Sequence, residues 1–128
     1  MPTFDDVRAI AMALPEAEEV LTWETDVTFR VRHKIFAIGG EGSESVSIKA
    51  TPATQSDLVD RAPETFHPSA YVGRFGWVTA DLGRIDDDLL TTLLIDAWRL
   101  TAPKRLAATY PSGDPGDTAA ASTAVEAS

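Results

Sequence analysis

No cysteine occurs in these 128 residues, which excludes disulfides, thiolate metal sites and a cysteine nucleophile. Histidine is nearly as scarce. His33 and His67 are the only two, and neither falls in an HxxxH or HExxH pattern, so no metal site is expected. No apolar run approaches the ~18 residues that a membrane span needs. The opening Met1-Pro2-Thr3-Phe4-Asp5-Asp6 is acidic and has neither the basic nor the apolar region of a signal peptide. These absences predict a cytoplasmic protein without a membrane partner. Catalytic signatures are missing as well. There is no G-x-S-x-G elbow. Carboxylates are plentiful, but their spacing singles out no acid/base pair. Gly39-Gly40-Glu41-Gly42 lacks the G-x-x-x-x-G-K-[ST] spacing, and a strand-like run follows it, so no helix N-terminus would face a phosphate there. The expectation is a binding domain, not an enzyme, and one without a cofactor.

Positive charge is also in short supply. Eleven Lys and Arg stand against 20 Asp and Glu, for a net charge of −9. A nucleic-acid binder usually carries a basic footprint, because phosphate neutralisation supplies much of its affinity. The distribution is uneven, however. Residues 1–26 hold one base and seven acids, whereas residues 27–85 hold seven bases and six acids. A local basic face is therefore compatible with an acidic whole, and a strong general affinity for DNA is not expected.

The chain is of single-domain length, and its 44% apolar and 24% charged content is that of an ordinary globular protein. Thr3 and Asp6 mark a helix start, and Phe4, Val7, Ile10, Ala11 and Leu14 recur at helical spacing up to Pro15. Glu16–Glu19 reads as an acidic connector and Val20–Trp23 as a short strand. Val27–Arg32 alternates, with Val27, Phe29 and Val31 on one face and Thr28, Arg30 and Arg32 on the other. His33-Lys34 reads as a turn, and Ile35–Ile38 and Ser45–Ala50 as the next two strands of an antiparallel meander. Thr51-Pro52 has the form of a helix cap followed by an N1 proline, opening a helix to about Arg61. Tyr71-Val72 reads as a further short strand. Asp86-Asp87-Asp88 opens a last helix whose Leu89, Leu90, Leu93, Leu94, Ala97 and Trp98 form the strongest apolar stripe, with a kink or restart at Pro103. The pattern predicts a two-layer α+β domain over residues 1–110, with an antiparallel sheet of about five strands and helices packed on one face. Phe29, Ile35, Ile48, Trp77, Leu93 and Leu94 are expected in its core. Residues 111–128 are too poor in large apolar side chains to fold and are expected to be disordered.

The stretch from Pro68 to Leu82 stands out. Gly73 and Gly76 flank Arg74-Phe75, and Trp77–Leu82 continues as a β-prone run. A glycine-flanked turn feeding an aromatic strand is a way to display an arginine; it is equally a plain turn with a solvated arginine. Tyr71-Val72-Gly73-Arg74-x-Gly76-Trp77-Val78, together with Phe29-Arg30-Val31, Lys34-Ile35-Phe36-Ala37 and Ser47-Ile48-Lys49 upstream, resembles the MmcQ/YjbR family of small bacterial proteins over about residues 4–110. The resemblance implies a CyaY-like α+β fold and DNA binding. By that analogy Arg30, Arg32, Lys34, Lys49 and Arg74, with Trp23 and Tyr71, would form a nucleic-acid or ligand face in which cations meet phosphate and aromatics stack. Two other readings stay open: a small-molecule or peptide-binding module with an anion site at Arg74, and a protein-interaction subunit, monomeric or homodimeric.

Overall fold

The computed structural model describes residues 2–22, 26–40, 42–69 and 73–109. Thr3 opens α1 (Phe4–Met12) with a reciprocal cap. Its hydroxyl accepts from the Asp6 amide, and the Asp6 carboxylate accepts from the Thr3 amide at 2.8 Å. The chain then enters β1 (Ala17–Thr22), β2 (Asp26–Val31), β3 (Lys34–Gly40) and β4 (Ser45–Ile48). α2 (Pro52–Arg61) follows, capped by the Thr51 hydroxyl with Pro52 in its first turn. β5 (Phe66–Pro68), a 3₁₀ turn (Gly73–Phe75) and β6 (Val78–Asp81) lead into α3 (Asp87–Thr101). Asp86 caps α3, and its carboxylate accepts from the Asp88 and Leu89 amides. After Pro103 the chain restarts as α4 (Lys104–Thr109).

The sheet has six antiparallel strands in the order β1-β2-β3-β4-β6-β5. β5 is the strand the sequence pattern hides. It is three residues long, sits at the sheet edge and ends on Pro68, a residue that edge strands tolerate. Ala17–Glu19, read from composition as a connector, instead forms the first half of β1. Tyr71-Val72 and the tail after Thr109 lie outside the described residues.

One face of the sheet carries the core. Val27, Phe29, Val31, Phe36, Ala37, Val46, Ile48, Val78 and Ala80 are buried with Phe4, Val7 and Ala11 of α1 and Leu90, Leu93, Leu94 and Trp98 of α3. Gly39 admits the Phe4 ring: a Cβ there would lie 2.5 Å from Phe4 Cε1. Trp98 is fully buried, and its Nε1 donates to the Pro15 carbonyl at 3.0 Å, tying α3 to the loop between α1 and β1.

Two expected core residues are not in the core. In the β2–β3 ladder Phe29 faces Ala37 but Arg30 faces Ile35, so Phe36 is an extra residue, a β-bulge. The bulge sends Phe36 and Ala37 both into the core and turns Ile35 toward the other face, where it is half-buried. Trp77 is also half-buried. It precedes β6, between the Gly76 turn and Val78, so the alternation of the strand does not govern its direction. On the face opposite the core, one register row crosses all six strands: Val20, Thr28, Ile38, Ser47, Thr79 and His67. Within the row Thr79 Oγ1 lies 3.1 Å from Ser47 Oγ, and it also lies 2.9 Å from Oγ of Ser69, just past β5.

Candidate functional site

Strand direction decides where the charges go. β2, β4 and β5 run one way, and β1, β3 and β6 the other. One end of the sheet therefore gathers the exits of β2, β4 and β5 and the entries of β1, β3 and β6. Arg32 and His33 leave β2 there, Lys34 begins β3, Lys49 follows β4, and the Gly73–Trp77 segment enters β6. Arg30 lies two residues from that end, directly across from Glu18 of β1. The register thus brings Arg30, Arg32, Lys34, Lys49 and Arg74 to one end of the sheet.

The opposite end is acidic. Asp26 begins β2 and Asp81 ends β6 there, and Glu44 immediately precedes β4. Thr3 and Asp5 at the start of α1 join Ser43, Glu44 and Asp81 around a cavity of about 400 Å³. Asp86, Asp87 and Asp88 follow along the adjoining loop and the first turn of α3, where they also complement the helix dipole.

The five bases differ in their freedom. Arg32 is not on the strand with Arg30, as simple alternation would have it. Arg32 and His33 have φ of +51° and +71° and form the two-residue connection between β2 and β3, the backbone of a tight hairpin turn. From there the Arg32 guanidinium makes a two-pronged contact with the Glu16 carboxylate, Nε with Oε1 and Nη2 donating to Oε2 at 3.0 Å. The pairing holds the Glu16 carboxyl below its ordinary value and the Arg32 guanidinium above its own. Arg30 is half-buried, and its Nε donates to Thr28 Oγ1 at 3.0 Å, which in turn donates to the Val20 carbonyl at 3.1 Å. Lys34 is exposed and Lys49 partly so.

Arg74 is exposed, and its guanidinium carbon lies 4.8 Å from the centroid of the Phe75 ring. The turn that carries it is pinned. Gly76 has φ +105°, and a Cβ there would lie 2.5 Å from the Ala50 carbonyl oxygen and 2.8 Å from Pro52 N, so only glycine fits this approach. Gln55 of α2 donates through Nε2 to the carbonyls of Gly73 at 2.6 Å and Trp77 at 2.7 Å. The Gly73 amide bonds the Ser69 carbonyl at 2.9 Å, and the Ser69 amide bonds that of Trp77 at 3.2 Å. The turn therefore rests on the segment that directly follows Lys49.

Sequence reasoning missed Gln55, whose polar side chain points inward from an otherwise polar helix, and Arg99. Arg99 lies in the last turn of α3 and joins Lys49, Thr51, Asp96 and Leu100 around a cleft of about 290 Å³ at the same end of the molecule. A base in the last turn of a helix is a signal visible in sequence; that it would meet Lys49 was not. Trp23 and Tyr71 lie outside the described residues. His67 is exposed on β5.

A six-stranded antiparallel sheet with helices on one face, basic at one end and acidic at the other, defines a small α+β domain with a polarised charge distribution. The chain belongs to the YjbR family, whose sequence profile matches residues 12–100. It is similar in structure to Deinococcus radiodurans protein DR2400, a crystal structure assigned to the domain DUF419. The TM-score is 0.72 at 25% identity, over 78% of each chain. No curated protein gives a significant sequence match.

Proposed function

We propose that this domain binds nucleic acid weakly and without catalysis, through the sheet end that carries Arg30, Lys34, Lys49 and Arg74. The observation that carries the reading is the segregation of charge along the strand axis. A net charge of −9 opposes approach to a polyanion, but an end where five bases outnumber the neighbouring Glu16 and Glu18 gives the molecule an orientation in which phosphate is attracted. The sequence resemblance to the MmcQ/YjbR family, which implies DNA binding, supports the same reading. Arg32 contributes less, because Glu16 already occupies its guanidinium. Only a handful of phosphates can be engaged, so the affinity is modest, and log K falls by about 0.9 per log unit of salt for each phosphate contacted.

Fluorescence anisotropy with a labelled duplex tests this. Binding at ~50 mM salt with tens of micromolar protein is expected, together with a clear loss in the Arg30→Ala, Arg74→Ala double variant. No binding under those conditions, or binding indifferent to both substitutions, removes nucleic acid. The cleft lined by Lys49, Arg99 and Asp96 favours a second reading in that event, a small ligand with an anionic group toward the two cations, over Leu93 and Ala50.

A further inference from the structure

We infer that the Arg74-Phe75 turn is a stacking platform for an unpaired nucleobase, so that the preferred ligand is single-stranded rather than duplex. The inference rests on the nucleic-acid reading above and names the ligand class of that same end.

Phe75 is 59% exposed, and among the described residues only Leu21 is a more exposed large apolar side chain. A single exposed phenylalanine is ordinary on a protein surface. What distinguishes this one is its support. The backbone on either side is held by the Gln55 side chain, by the Ser69–Gly73 and Ser69–Trp77 bonds, and by the glycine-only contact of Gly76 with Ala50–Pro52. An aromatic on a pinned turn loses little conformational entropy when something stacks on it, which is what a rigid anchor supplies. The Arg74 guanidinium carbon lies 4.8 Å from the Phe75 ring centroid, so the exposed ring is paired with a cation that makes the local surface electropositive. Bases stack on aromatic rings and on guanidinium planes alike, whatever their identity. Lys49 directly precedes Ala50–Pro52, the segment against which Gly76 packs, so a cation adjoins the turn along the chain. In a duplex the bases are already stacked on one another, so Phe75 has no partner there and only the phosphate contacts remain.

The experiment compares three labelled probes by anisotropy at low salt: a twelve-residue oligothymidylate, the same strand with abasic sites throughout, and a duplex. Wild-type protein is expected to bind the oligothymidylate most tightly. Phe75→Ala, at a site too exposed to upset folding, is expected to weaken that probe about 5- to 150-fold, the range that one to three kcal/mol of stacking represents. It should leave the abasic strand and the duplex within about twofold of wild type, since their contacts are to phosphate. Phe75→Trp is expected to retain oligothymidylate binding. Equal losses on all three probes, or no loss on any, overturn the stacking platform while leaving phosphate binding intact. No binding of wild-type protein to any probe overturns both this inference and the function on which it rests.

Discussion

Glu16 and Arg32 show how one ion pair can set the strength of a binding surface. Both groups are exposed, so their attraction contributes little to stability. Its effect on charge is larger, because a guanidinium gripped by a carboxylate is poorly available to phosphate. Glu16→Gln is expected to raise affinity for duplex DNA and to steepen the salt dependence by up to about 0.9, one further phosphate contact. Anisotropy over a salt series reads this directly; an unchanged slope would mean that Arg32 faces away from the ligand. The sign of the pH effect follows from the lowered Glu16 value. What the pair contributes to stability is present above the ordinary glutamate range and is lost as pH falls through the lowered value. The tight turn behind this pair was only partly legible in the sequence. His33 was visible as a turn residue, but two consecutive positive φ values at Arg32 and His33 have no glycine or asparagine to announce them.

At the scale of elements, the helices were written plainly. Thr3, Thr51 and Asp86 cap them as their positions suggested, because a side-chain oxygen before an apolar-periodic run has few other uses. The stripe of α3 buries Leu90, Leu93, Leu94, Ala97 and Trp98 as its spacing predicted. Leu94→Ala is therefore expected to cost about 2–5 kcal/mol, and a denaturant titration in which it costs less than ~1 kcal/mol would contradict the docking of α3. The strands were less legible. A bulge changes the parity of every residue beyond it, and nothing in Lys34-Ile35-Phe36-Ala37 marks Phe36 as the extra one, so plain alternation places Ile35 in the core instead. β5 escaped because three residues are too few to show a period. Of the candidate site, the cations and the glycine-flanked turn were visible as residue types. Their convergence depends on strand register, and the hold of Gln55 on the turn joins residues 18 and 22 apart; neither leaves a local pattern.

For the whole molecule, the decisive quantity is where charge sits rather than how much there is. A net charge of −9 would make a uniformly charged domain avoid DNA, whereas a domain polarised along its strands can approach in one orientation and be held there over roughly a Debye length, about 10 Å at 0.1 M salt. This separates the account from one based on net charge. Two double charge reversals change the total equally but at different places. Lys34→Glu with Lys49→Glu alters the basic end. Arg61→Glu with Arg84→Glu alters bases that lie away from it and pair with Asp57 and Asp81. Anisotropy with one labelled oligonucleotide at ~50 mM salt compares them, in the regime where phosphate contacts dominate. The account predicts that the Lys34/Lys49 variant loses binding at least about tenfold, as the loss of two phosphate contacts implies, while the Arg61/Arg84 variant stays close to wild type. Equal losses in the two variants would contradict it, because binding would then follow total charge and the basic end would have no special part.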